Sequence, residues 1–255
     1  MRALVGHHAL VTGANRGIGA AIGQALSAAG ADVTLLVRDA EAGRRAADAW
    51  PGRTHVVVAS VTDADAVQRA VADATAIFGP VTLAIANAGA AESAPFARTD
   101  AALWHRMLDT NLMGTVHLAQ ATIPPMIEAR RGRFVAVAST AGLTGYPYVS
   151  AYVAAKHAVV GLVRSLAREV ARHGVTVNAV CPGFTDTDLV AASVQRLVDK
   201  TGRSADEATA ALTAANPQGR LVTPSEVADA VCWLCGDGAT AVNGQAVAID
   251  GGERA

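Results

Sequence analysis

Charge is scarce in this chain of 255 residues: Asp, Glu, Lys and Arg make up 17% of it, and the formal balance is -1. No basic excess is available to displace counterions from phosphates, which excludes a general nucleic-acid binder. Aromatic residues are rarer still at 4%, too few for a platform that stacks bases. The cysteines are Cys181, Cys232 and Cys235. They are too few, and odd in number, for a disulfide-stapled secreted scaffold. Cys232 and Cys235 have the spacing of a redox or zinc pair, but no second Cys/His pair follows to close a tetrahedral site. Buried structural thiols and no metal are expected there. Apolar runs free of turn formers are also missing. The longest uncharged stretch, Phe134 to Ala155, contains Ser139, Gly142, Gly145 and Pro147. Such residues in mid-span would leave backbone groups unpaired in lipid. The first ten residues reach His7 and His8 before any long apolar run, so no signal peptide is expected and a soluble, cytoplasmic protein is.

What the chain has in quantity is apolar residues, 51% of the total, enough to bury a large core and to exclude disorder. Short β-branched runs alternate with longer helical patterns. Ala9 to Thr12, Val33 to Val37, His55 to Ala59, Val81 to Ala86, Phe134 to Ala138, Val175 to Val180 and Ala246 to Ile249 read as strands. Most are apolar throughout, as strands covered on both faces are. Between them Ile18, Ile22, Ala25, Leu26 and Ala29 recur at helical spacing, as do Val67, Ala70, Val71 and Ala74. Thr223-Pro224-Ser225-Glu226 is a capping box with Pro at the first helical position, opening a helix to about Cys235. The alternation predicts an α/β fold: a single-domain, Rossmann-type, doubly wound parallel sheet of about seven strands with helices on both faces, spanning 1–255. Residues 188–220 break the pattern and read as one or two helices forming a lid. Trp104 to Ala129 and Ala151 to His173 read as long helices with broad apolar faces. His7 and His8 read as exposed entry residues, His105 and His117 as helix-surface or interface residues, and Arg130, Arg131 and Arg133 as a solvated loop.

Two motifs carry chemistry. Thr12-Gly13-Ala14-Asn15-Arg16-Gly17-Ile18-Gly19 follows the first strand and opens a helix. Glycines there let the backbone turn sharply and approach a diphosphate, whose charge the helix N-terminus favours. Alone, the spacing also fits an ordinary glycine-rich β-α turn. The second motif, Tyr152-Val-Ala-Ala-Lys156, puts a phenol and an ammonium one helical turn apart on one face. A nearby cation favours the phenolate, lowering its pKa from about 10 so that it can trade a proton with a carbonyl or alcohol oxygen. Alone, this pair also fits a surface Tyr-Lys pair.

The two motifs occur in one order with Asn87-Ala88-Gly89, Asn111, Ser139 and Pro182-Gly183. The set resembles the short-chain dehydrogenase/reductase family, and the resemblance runs from Thr12 to Asp250-Gly251-Gly252. It implies catalysis by Asn111, Ser139, Tyr152 and Lys156. Tyr152 would be the general acid in reduction, and Ser139 would hydrogen-bond the substrate oxygen. Lys156 would hold the nicotinamide ribose and lower the Tyr152 pKa. Asn111 would support a relay water beside Lys156. Gly13, Asn15, Arg16, Gly17, Ile18, Gly19, Asn87, Ala88 and Gly89 would line the cofactor site. Pro182, Gly183, Thr185 and Thr187 would line its nicotinamide end. Ser60 stands where the family has an adenine-contacting Asp, so Ser60 and the Val61 backbone would hold that edge. Leu143, Tyr146, Val149 and Phe184 are candidate walls of the substrate pocket.

NAD-preferring members of the family carry an acid at the end of the second strand, and counting from Gly30 that position here is Val37. Arg38 follows it and Arg16 lies in the glycine turn. Two guanidiniums can converge on a 2′-phosphate, so NADP(H) is expected, with NAD(H) as the alternative. Asp39 is the complication, since it can pair with Arg38 or turn inward. The resemblance is greatest to reductases of 3-oxoacyl thioesters, on acyl carrier protein or coenzyme A. A cyclic or aromatic ketone is the close competitor. An NAD-dependent alcohol or 3-hydroxyacyl dehydrogenase and a non-catalytic nucleotide-sensing scaffold are the other readings. A homotetramer, or a homodimer, is what the resemblance implies for assembly.

Overall fold

The structure, a computed structural model, describes residues 4–255. Seven strands form one sheet: β1 (His8–Thr12), β2 (Asp32–Val37), β3 (Thr54–Val58), β4 (Leu83–Ala86), β5 (Gly132–Val137), β6 (Val175–Pro182) and β7 (Ala246–Ile249). Every neighbouring pair is parallel, in the order β3-β2-β1-β4-β5-β6-β7. Parallel neighbours need a crossover. The crossovers contain α1 (Gly17–Ala28), α2 (Ala40–Ala47), α3 (Ala64–Phe78), α4 (Ala101–Leu108), α5 (Gly114–Glu128), α6 (Ser150–Val170), α7 (Asp188–Thr201), α8 (Ala205–Thr213) and α9 (Pro224–Cys235). The expected α/β architecture is the one observed.

The pleat explains why both faces are covered. Successive side chains of β1 point to opposite sides. Ala9 and Val11 join a core with Ile22 and Leu26 of α1 and Val227 and Val231 of α9. Leu10 joins the opposite core with Val67 and Val71 of α3, Leu118 and Met126 of α5, and Val159 and Val163 of α6. Helix starts follow the sequence chemistry. Asp39, Asp63 and Asp100 each accept a backbone N–H at an N-cap, and Ser204 and Thr223 close capping boxes with Glu207 and Glu226. The 188–220 segment holds two helices, α7 and α8.

Two expectations need correction. The long helix from Trp104 is not uniform: α4 and α5 are joined by a π-helical turn, Asp109–Met113. Asn111 lies in it and donates through Nδ2 to the Met107 carbonyl at 2.9 Å, a bond that helps hold the widened turn. His8 is not an exposed entry residue. It belongs to β1 and is 3% exposed. Its Nδ1 meets the Gly79 carbonyl at 2.8 Å and its Nε2 meets the Thr34 hydroxyl at 2.9 Å. Both ring nitrogens are thus satisfied, which lets an imidazole lie inside. His7 is half-buried, with Nδ1 3.0 Å from the Thr82 hydroxyl.

Candidate active site

The strand order reverses between β1 and β4, and ligands of such sheets bind in the crevice at the strand carboxyl ends there. Thr12 closes β1, and its buried hydroxyl accepts the Asn87 and Ala88 N–H groups, both at 2.9 Å. Asn87 returns the tie: its Nδ2 donates to the Thr12 carbonyl at 2.8 Å. Asn87 is thereby pinned against the glycine turn. Gly13 and Gly17 have φ of +67° and +53°, values that favour glycine. Gly19 is needed for space. A Cβ there would stand 2.3 Å from the Gly13 oxygen, so α1 presses directly against the turn.

The helices differ at their N-termini in a way that bears on ligand binding. α2, α3, α4, α8 and α9 are capped by side chains. α1, α6 and α7 begin at Arg16, Val149 and Thr187 without a side-chain cap bond. α1 and α7 meet at the cleft, since a Cβ on Gly17 would touch Thr187 Cγ2 at 3.3 Å. The N–H groups of the first α1 turn, at Gly17, Ile18 and Gly19, are left as donors for an anion. Asn15 is half-buried in the same turn.

On the β2 side, Val37 is buried and Arg38 is exposed. Asp39 turns neither to Arg38 nor inward: its carboxylate accepts the Ala42 N–H at 3.1 Å as the cap of α2. Arg16 Nη1 lies 3.4 Å from Asp188 Oδ2 of α7, a long, exposed pair of little strength. The Ser60 hydroxyl is 2.8 Å from the Thr62 hydroxyl. The Val61 carbonyl is taken by His117 Nδ1 at 2.8 Å, so His117 braces this edge rather than standing free on the helix surface.

Ser139 follows β5. Its hydroxyl accepts the Ala141 N–H at 3.1 Å and lies 3.5 Å from the Pro182 carbonyl. Tyr152 and Lys156 project from the first turns of α6, with Lys156 Nζ 5.6 Å from the Tyr152 ring centre. Lys156 is buried and donates to the Val137 carbonyl at 2.9 Å. Gly89 lies against both remaining partners: a Cβ on it would stand 2.9 Å from Asn111 Oδ1 and 3.6 Å from Lys156 Nζ. Asn111 is fixed there by Nδ2 donating to the Ala90 carbonyl at 2.9 Å.

Burial dominates the electrostatics of this cluster. It pushes the Tyr152 phenol above its ordinary value, while the adjacent Ser139 hydroxyl pulls the other way. It pushes the Lys156 ammonium down to about 8. Desolvation thus opposes the lowering of the Tyr152 pKa expected from Lys156, because it disfavours both charged forms. Burial also pushes the neighbouring Cys181 thiol up to about 11, which keeps it neutral and unreactive. Cys232 and Cys235 are likewise unpaired thiols, raised by burial. The described residues contain no His/Cys/Asp/Glu cluster suited to a metal.

Three of the four candidate wall residues lie in the segments that enter α6 and leave β6. Tyr146 and Phe184 pack edge to face, 6.2 Å between centres. Val149 is half-buried at the start of α6. Leu143 is the exception. It packs on the core and lines a separate cleft of about 770 Å³ with Arg164, Arg168, Gly244 and Ala246. The turn Thr140–Gly142 seats against α6, where a Cβ on Gly142 would be 2.7 Å from the Lys156 carbonyl. Thr185 is buried, with its hydroxyl donating to the Gly183 carbonyl at 3.0 Å, and Thr187 donates to the Thr185 carbonyl at 3.2 Å. Pro182 ends β6 just before them.

Sequence reasoning gave no role to Thr12 or Glu253. Thr12 was detectable as a hydroxyl ending an otherwise apolar strand, next to the glycines. Glu253 carries no such signal. It follows the paired glycines at the chain's end and reaches the cleft only through the fold.

The family model described as enoyl-(acyl carrier protein) reductase matches residues 13–253. The 3-oxoacyl-[acyl-carrier-protein] reductase FabG of Escherichia coli (strain K12) is 34% identical over 247 residues, covering 97% of each chain. The cis-4-hydroxycyclohexanecarboxylate dehydrogenase of Sinomonas cyclohexanicum is 39% identical over 247 residues, covering 96% of this chain and 95% of that one. A solved structure of an actinorhodin polyketide ketoreductase variant with NADPH superposes with a TM-score of 0.89 at 36% identity, covering 97% of each chain. The chain belongs to the short-chain dehydrogenase/reductase family and is an oxidoreductase.

Proposed function

We propose that the protein is an NADP(H)-dependent carbonyl reductase whose substrate is a 3-oxoacyl group held as a thioester on acyl carrier protein or coenzyme A. The observation that carries this reading is the convergence of Ser139, Tyr152, Lys156 and Asn111 on the crevice that the uncapped start of α1 also faces. The residues present fit a dinucleotide phosphate. The Gly13–Gly19 turn offers N–H donors and a cradle that added Cβ atoms would fill, and Arg38 has no carboxylate partner among the described residues. Val37 places no acid where a 2′-phosphate would be repelled, and Asp39 is occupied as a helix cap.

In this reading the nicotinamide, when bound, supplies the hydride. Ser139 donates a hydrogen bond to the substrate carbonyl and holds the charge that develops on its oxygen. Tyr152 delivers its phenolic proton to that oxygen, giving the hydroxyl product. A phenol kept protonated by burial is in the correct state to act as the acid in reduction. Lys156 would hold the ribose hydroxyls when the cofactor is bound, and its charge stabilises the phenolate left after proton transfer. Asn111 fixes the backbone beside Lys156 and supports the water that returns the proton. Run backwards, the same groups oxidise a secondary alcohol. A cyclic ketone is the second reading, supported by the likeness to the cyclohexane-carboxylate dehydrogenase.

Membership of the family and the edge of β7, unpaired among the described residues, support a homotetramer, which light scattering at micromolar concentration tests. The unpaired thiols support the reducing cytoplasm as its compartment. The reaction itself is tested by following absorbance at 340 nm with acetoacetyl thioesters, cyclic ketones and aryl ketones. NADPH oxidation fastest with the thioester is the expected result. No oxidation with any carbonyl compound, or a clear preference for NADH, overturns the corresponding part of the reading.

A further inference from the structure

Beyond β7, Gly251 and Gly252, with φ of +64° and +93°, make a turn at the carboxyl end of the sheet. The turn is clamped on one side by the exit of the lid. A Cβ on Gly251 would stand 2.2 Å from Asn216 Oδ1, and one on Gly252 would be 3.5 Å from Pro217 Cγ. Asn216 is itself buried and tied to the Arg220 carbonyl at 2.9 Å. On the other side the turn delivers Glu253 to the cleft. One carboxylate oxygen of Glu253 accepts the Tyr146 hydroxyl, which also lies 2.8 Å from the Thr140 hydroxyl. The second oxygen is 3.1 Å from where a Cβ on Gly183 would be, beside the proposed nicotinamide end. Arg254 then reaches the Leu143 carbonyl at 3.4 Å.

Tyr146 would otherwise be a loose wall. It sits in an irregular loop next to exposed Tyr148, whose φ of +65° is strained for a non-glycine residue. A charge-assisted bond to a carboxylate is stronger than a neutral one. The carboxylate therefore fixes Tyr146, and through the edge-to-face contact it fixes Phe184. We infer that Glu253 is a positioning residue for substrate specificity: it latches Tyr146 and Phe184 into a closed wall and couples that wall to the lid through Asn216 and Pro217. The substrate it selects is a carbonyl compound with a slender group on this side of the reacting carbon. This inference rests on the carbonyl-reductase reading.

The test compares kcat/KM for a compact and a branched ketone, both with NADPH, in the unaltered protein and in Glu253→Ala, Glu253→Gln and Tyr146→Phe. Releasing the wall admits the branched ketone. The branched-to-compact ratio is expected to rise about tenfold in Glu253→Ala and in Tyr146→Phe, the scale of one pocket contact. The double variant Glu253→Ala/Tyr146→Phe is expected to match Tyr146→Phe, in which the bond to Glu253 is already lost. Glu253→Gln, which keeps an acceptor for the Tyr146 hydroxyl, is expected to restore the ratio to within about threefold. Equal losses for both ketones, with NADPH binding by fluorescence unchanged, or an unaltered ratio, overturn the inference alone. No turnover of any ketone by the unaltered protein overturns the carbonyl-reductase reading beneath it.

Discussion

Gly19→Ala tests the cofactor cradle by adding a single methyl group. The added carbon would lie 2.3 Å from the Gly13 oxygen and 2.4 Å from Asn87 Nδ2. Neither neighbour can yield cheaply. Gly13 holds the turn at positive φ, and Asn87 Nδ2 is committed to the Thr12 carbonyl. α1 must back away from the turn. Overpacking of this kind costs about 1–3 kcal/mol, and weakening the Asn87 bond adds about 1 kcal/mol. At roughly 2–4 °C per kcal/mol for a chain of this size, Tm falls by about 5–15 °C. The donors of the first α1 turn move with the helix, so NADPH affinity falls by more than about tenfold. Thermal unfolding by circular dichroism and a fluorescence titration with NADPH read the two effects. Gly161→Ala is the control. That glycine lies within α6 with open space at its Cβ position, and alanine there raises stability by about 0.5–1 kcal/mol. A Gly19→Ala protein that melts and binds NADPH like the unaltered one would refute the cradle.

Three further perturbations test the other parts of the account. Arg38→Ala is expected to raise KM for NADPH about tenfold or more, the worth of a charge-assisted bond, and to leave KM for NADH unchanged; equal effects on both would remove Arg38 from the 2′-phosphate site. Lys156→Met is expected to abolish turnover yet raise the Tm of the cofactor-free protein at neutral pH, since burial penalises the ammonium. Because burial lowers the Lys156 pKa to about 8 from 10.5, the unfolded chain binds more protons between those values. Stability of the unaltered protein should therefore rise across that window relative to the variant, and a Tm difference that does not narrow with pH would contradict this. His8, whose pKa burial holds below 6.5, resists protonation in the fold. Acidification below 6.5 should thus lower Tm more in the unaltered protein than in His8→Gln, and parallel pH curves would show that His8 does not titrate as described.

The strands were legible because buried parallel strands are short, predominantly apolar and β-branched, as VTLLV of β2 is, with Thr34 its one polar residue. The capping box at Thr223 was legible because its chemistry is local. His8 was misread for the opposite reason. Its burial depends on Thr34 and Gly79, both distant in sequence. The π turn at Asn111 has no local signature, since it is held by bonds to Met107 and to Ala90. The pairing of Tyr152 with Lys156 was visible as a spacing, but the balance between burial and charge that sets their protonation was not. That balance depends on how many neighbours exclude water, which spacing does not record.

The central claim is that the Tyr152 phenol supplies the proton to a carbonyl beside the nicotinamide. Single-turnover oxidation of bound NADPH by an acetoacetyl thioester, compared between the unaltered protein and Tyr152→Phe at saturating cofactor, tests it most directly. The account predicts NADPH affinity within about twofold and a rate lower by at least about 10²-fold in the variant. Rates that agree within a few-fold, with NADPH equally bound, would contradict it.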